Sequence, residues 1–287
     1  MDADRRFWLT HAIWPLLLFA LIAAVAATTR FDESIELAWA FDPATGHFIG
    51  TGTGTWWAKA LIHGAGGKVM RGLGVLLLLV WGCTFGVMAL RRWRRPAGYL
   101  LLSIAVGTGT VALLKETSNI NCPRSLAEFG GQHPYIHLFA ERPAGLPRAR
   151  CFPGGHSSSG FALFGLYFLS LARNRRLAPA ALALALTVGS LFAFGQEARG
   201  AHFLSHDIWS AAIMWFACLG VFTLGYRGDV WATEDDPCTV DPVPDTTPRS
   251  AAPGTWAAGR RQLANRSSDG SRTVVLTPSK PRTEWKR

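Results

Sequence analysis

Residues 199–207 read R-G-A-H-F-L-S-H-D and place Arg199, His202, His206 and Asp207 where an apolar segment begins. Helical spacing would put His202 and His206 on one face. A polar cluster at a membrane boundary is costly unless its members are partnered, which makes it a candidate for function. The plain alternative is a loop with interfacial histidines. The His202/His206 spacing also suits a zinc pair, but the Glu that follows the first His in metalloproteases is absent, so the sequence calls for no metal. Two further stretches carry groups of the same kind. Residues 115–126 hold Lys115, Cys122 and Arg124, and residues 151–156 hold Cys151, Gly154, Gly155 and His156. Alone, Lys115 reads as an interfacial anchor. Pro153-Gly154-Gly155 reads as a turn before a helix or as an anion cradle.

The elements that must position these stretches are apolar blocks. In 287 residues the hydrophobic side chains come in long runs rather than alternating with charge, the pattern of a membrane protein. The net charge of +10 lies between the blocks and in the tail, with no basic face interleaved with aromatics. Lipid headgroups, not nucleic acid, are the expected partners. Six spans are expected, at 9–28, 69–90, 97–114, 157–172, 178–195 and 207–226, with 29–68 an extramembrane connection. Arginine clusters at 91–95 and 173–176 mark cytoplasmic loops, which puts both termini inside and all three polar stretches on the outer, periplasmic side. The fold class is therefore all-α, a six-helix membrane domain over 1–227. Residues 228–287 have too little apolar content to pack a core and are expected to be a disordered cytoplasmic tail.

Taken together, Lys115 with Cys122-Pro123-Arg124, then Pro153-Gly154-Gly155-His156, then Arg199, His202 and His206 resemble the three signature motifs of the type 2 phosphatidic acid phosphatase superfamily, which also contains the vanadium haloperoxidases. The family pattern is a Lys followed by Arg-Pro, then Pro-Ser-Gly-His, then an Arg, five residues, a His, three residues and an Asp. Counting along this chain, Cys122 stands at the first Arg position, Gly154 at the Ser, Gln196 at the second Arg and His206 at the Asp, with Asp207 one residue late. The resemblance implies a membrane phosphatase that needs no cofactor and acts on a lipid phosphate. His202 would attack phosphorus to give a phosphohistidine, His206 or Asp207 would orient it, and His156 would serve as acid and then base. Lys115, Arg124, Arg199 and the Gly154 and Gly155 amides would hold the phosphate. A lipid phosphotransferase of the same fold, or an inactive scaffold or transporter, are the competing readings.

Cys122 and Cys151 are the only cysteines this topology places in an oxidising compartment, so a disulfide is expected between them. It would hold Arg124 near His156. Oligomeric state and the identity of the lipid phosphate are not fixed by the sequence.

Overall fold

The computed structural model describes residues 3–136 and 140–231. The chain begins with α1 (Ala3–Trp8), passes through a π-wound turn at Leu9–Ile13 and continues as α2 (Trp14–Thr28). Pro15 explains the wide turn: it has no N–H to give, and its ring would press on the carbonyl four residues back. Then come α3 (Phe31–Ile35), a second π turn at Glu36–Ala40, and a two-stranded antiparallel hairpin, β1 (Phe41–Asp42) and β2 (His47–Phe48), in which Phe41 pairs with Phe48.

A continuous helical run, Trp57–Gly86, starts with π-wound turns and ends as α4 (Gly67–Gly86). It begins well before residue 69, inside the segment expected to be an extramembrane connection. The reason is tertiary. Ala58 and Ile62 are buried on one face, and Gly195 lets Ile62 approach so closely that a Cβ there would lie 2.6 Å from it. After a 3-10 turn at Met88–Trp93, α5 (Arg94–Thr117) returns. Arg94 donates to the Thr84 carbonyl (2.6 Å) and lies over the Phe85 ring, fixing that corner.

The expected fourth span is instead two short helices, α6 (Gly155–Phe161) and α7 (Phe164–Arg173). Between them the backbone tightens, with Leu163 N–H bonding Gly160 O and Gly165 N–H bonding Ala162 O. Gly160 and Gly189 bring α6 against α8 (Ala178–Glu197), for a Cβ on Gly160 would meet the Gly189 backbone at 2.8 Å. Small residues at a crossing are how membrane helices approach closely. The last element is α9 (Leu204–Trp231), packed along α5.

Among the described residues five helices are long and apolar enough to cross a membrane: Asp4–Ala26, Trp57–Gly86, Met88–Thr117, Arg175–Glu197 and Leu204–Gly225. Their outer faces carry rows of exposed leucines, among them Leu16, Leu17, Leu18, Leu21, Leu73, Leu76, Leu78 and Leu79. Such a surface needs lipid against it, and the chain is a multi-pass membrane protein. One core cluster inside the bundle joins Phe7, Tyr99, Phe164, Phe168, Met214 and Phe222. A second joins Phe41, Phe48, Leu126, Phe129 and Phe203, where the hairpin and the loop after α5 cap one end. The expected tail lies outside the described residues, save 228–231, which continue α9.

Candidate active site

Under that cap the end of α5 and the starts of α6 and α9 converge. Lys115, in the last turn of α5, donates to Pro153 O (3.0 Å) and Cys151 O (3.5 Å). Ser118 Oγ adds a bond to Phe152 O (2.7 Å). A disulfide joins Cys122 to Cys151 across 29 residues, with their Cα atoms 5.2 Å apart. The Cys151–Gly155 turn is thus tied to α5 by the charge of Lys115, and to the segment just after α5 by the Ser118 hydroxyl and the disulfide.

Its other side is tied to α9. Gly154 N–H donates to His206 O (3.2 Å), Ser210 Oγ donates to Gly154 O (2.8 Å), and Ser157 Oγ donates to Asp207 Oδ1. A Cβ on Gly154 would collide with the Asp207 carboxylate and with Ser157 Oγ. Glycine at 154 and Asp at 207 therefore accommodate one another. The sequence reads them as two unrelated departures, but in space they are one.

His202 precedes α9 rather than sharing its face with His206; the helix begins at Leu204, and the two rings lie 5.9 Å apart. His202 is buried with Nδ1 3.7 Å from Cys151 Sγ. Burial pushes its pKa well below the ordinary histidine value, and Lys115 and His206 add to this, so the ring is neutral at neutral pH. His206 stands edge-on to Phe152 and Phe203, with Nδ1 buried and unpartnered. Asp207 is engaged by Ser157 and its Oδ2 is unpartnered. Neither side chain hydrogen-bonds a His202 nitrogen, so the orienting role expected of one or the other is not made by direct contact. Ligand atoms of Cys151, His202 and His206 lie within 4.8 Å of one another, yet the Cys151 sulfur is committed to the disulfide and is no thiolate ligand.

His156 opens α6 and stands apart from that buried group. Its Nε2 donates to Ile62 O (3.3 Å), and its ring packs on His63 and Phe192, each with centroids 4.6 Å away. Gly67 leaves room for it, since a Cβ there would be 2.8 Å from His156 Cε1 and 3.6 Å from Arg71 Nη1. Arg199 is half-buried and donates from Nη1 to Gln196 Oε1 (3.3 Å). Burial and the nearby Arg124 guanidinium both lower the Arg199 pKa. Arg124 N–H bonds Gly200 O (3.0 Å), which brings the first and third stretches together.

Two cavities meet these groups. A polar one of about 520 Å³ is lined by Lys59, Arg124, Arg199, His47, Thr51 and Thr55, with no carboxylate in its wall. Among the described residues none of its three cations forms an ion pair. The other, about 560 Å³, is mainly apolar, lined by Leu73, Leu77, Leu100, Ile104 and Leu163 with Arg71 and His156. A third groove of about 430 Å³ between α2, α5 and α9 holds no ionisable group. Of the groups expected to hold phosphate, the Gly154 N–H bonds His206 O and Lys115 gives two of its three N–H groups to Pro153 O and Cys151 O, while Arg124 and Arg199 line the polar cavity. Lys59, His63 and Arg71 escaped the sequence reading because no motif marks them. The one available signal was four cationic or imidazole side chains, Lys59, His63, Lys68 and Arg71, along a run that proves helical.

Residues 96–228 match the family model described as the PAP2 superfamily. That match runs from the first turn of α5 to the last turn of α9 and takes in all three stretches. No curated protein and no solved structure matches the chain.

Proposed function

We propose that the chain, whose residues 96–228 match the PAP2 superfamily model, is an integral-membrane phosphatase that hydrolyses a lipid phosphomonoester or diphosphate at the outer face of a bacterial-type inner membrane. One observation carries this reading: His156 and Arg71 stand in the wall of an apolar cavity of about 560 Å³ between α4, α5 and α6–α7. A hydrocarbon tail lodged there sets its phosphate beside His156. Arg124, Arg199 and Lys59 face the polar cavity and supply positive charge for the anion.

In the proposed reaction His202, neutral because it is buried, attacks phosphorus in line through Nε2. The bond from phosphorus to the lipid oxygen breaks as the new N–P bond forms, and His156 gives that oxygen its proton. His156 then takes a proton from water, the resulting hydroxide displaces His202 from phosphorus, and inorganic phosphate leaves. Lys115 holds the Cys151 and Pro153 carbonyls with two of its N–H groups and has a third left for phosphate. In this topology α6 and α7 together make the fourth of six crossings, the Arg91–Arg95 and Arg173–Arg176 loops are cytoplasmic, and the capped end faces the periplasm.

The deciding experiment is phosphate release from a panel of lipid phosphates by detergent-purified protein, wild type beside His202→Ala. Loss of a covalent nucleophile is expected to lower the rate by about 10⁴-fold or more. Equal release by the two proteins sinks the reading.

A further inference from the structure

Gln196 occupies the position where the family pattern has an arginine, and its amide is held in one orientation. Arg199 has only donors, so its Nη1 contact at 3.3 Å requires the Gln196 oxygen to face it. The Gln196 nitrogen then faces His63, whose Nδ1 lies 2.8 Å away. An amide NH₂ can only donate, so His63 Nδ1 accepts and its proton sits on Nε2. The chain Arg199→Gln196→His63 therefore ends in a fixed N–H donor.

That donor stands beside His156, the acid and base of the proposed reaction. The His63 ring is exposed and lies 4.6 Å from the His156 ring, centroid to centroid, and His156 Nε2 donates to the carbonyl of the preceding residue, Ile62. Both imidazoles are thus registered on the same helical turn. That turn belongs to the Trp57–Gly86 run, outside residues 96–228.

We propose that His63 is a further catalytic residue, whose Nε2–H bonds a phosphoryl oxygen of the substrate in place of the arginine that Gln196 replaces. The proposal rests on the phosphatase reading above. Gln196 and Arg199 act through His63 by fixing its tautomer, and Gln196 is a positioning residue. Because the donor is neutral, it stabilises charge on the phosphoryl oxygens without adding a third cation beside Arg71 and Arg199.

The experiment compares wild type, His63→Ala, Gln196→Leu, Gln196→Arg and the pair His63→Ala/Gln196→Arg, read by kcat/KM on the best lipid phosphate of the panel and by the affinity for orthovanadate, a phosphate mimic whose binding needs no turnover. His63→Ala should lower kcat/KM about 100-fold, the usual cost of one lost oxyanion donor, and weaken vanadate about 10-fold, with an unchanged melting temperature. Gln196→Leu should fall in the same direction. Supplying the arginine should make His63 dispensable, so that His63→Ala costs less than about threefold in the Gln196→Arg background. His63→Ala within twofold of wild type in vanadate affinity overturns the proposal, as does an equal loss in both backgrounds. If no lipid phosphate is hydrolysed by wild type, the phosphatase reading fails on that arm and the vanadate arm still decides the role of His63.

Discussion

Glu36 shows most plainly how position changes a side chain's chemistry. It is fully buried beneath the cap, and neither carboxyl oxygen has a partner. Burial, then Glu197, Asp32 and Asp207, push its pKa up to about 9. The folded protein therefore holds Glu36 protonated at neutral pH, whereas the unfolded chain ionises it near the ordinary value of 4.5. Between those two values the folded state binds more protons, so stability falls as pH rises. Glu36→Gln removes the proton linkage. Its melting temperature should match wild type near pH 4.5 and exceed it increasingly toward pH 9, the gap growing by at most about 1.4 kcal/mol per pH unit. Parallel melting curves across that range would count against a buried neutral carboxyl. Asp32, by contrast, is fully engaged, accepting from the Ser205 amide (3.0 Å) and hydroxyl and so capping the helix that carries His206 and Asp207.

At the scale of elements, the Cys151–Gly155 turn is the joint on which the site depends. It receives Lys115 from α5, the disulfide from Cys122, and the Gly154–His206 and Ser210–Gly154 bonds from α9. Closing a loop across 29 residues is worth about 3.5 kcal/mol in the chain-entropy picture. Cys122→Ser, Cys151→Ser and the double variant should lose stability and phosphatase activity to the same extent, because each leaves the same bridge unmade. Mass spectrometry of unreduced protein should find neither thiol free to alkylate. Single variants that differ severalfold from the double in activity would mean that one cysteine acts on its own. The α6–α7 break matters for a related reason: it ends the helix that carries His156 after two turns, and Gly160 against Gly189 sets its distance from α8.

For the whole molecule, the arginine-rich corners and the capped end lie at opposite ends of the bundle, and the alternation of helices assigns every ionisable group of the site to the capped end. A reporter fused after Arg176 should be cytoplasmic, and one inserted near Gly130 should be periplasmic. A cytoplasmic signal from the Gly130 fusion would remove the outer-face reading, whatever the enzyme does in detergent. Two cavities hold the candidate groups: an apolar one opening among α4, α5 and α7 with His156 in its wall, and a polar one under the hairpin with Arg199 in its wall.

Periodicity-free apolar blocks determined the membrane class, the helical fold and the charge asymmetry, because lipid leaves the backbone few alternatives and composition reports it directly. The order and spacing of Lys115, the Pro-Gly-Gly-His turn and His202 pointed to the family. Other matters depended on contacts between residues far apart in the chain. The sequence placed the start of the second crossing near residue 69, whereas the burial of Ala58 and Ile62 against α8 carries the helix back to Trp57. The sequence counted Gly154 and Asp207 as separate departures, but one carboxylate fills the space that the missing Cβ leaves. His63 and Arg71 bear no motif, and become neighbours of His156 only because Gly66 and Gly67 let α4 close on Phe192 and on that ring. Composition and spacing are local and survive in one dimension; steric fit and the pairing of buried polar groups exist only once the helices have packed.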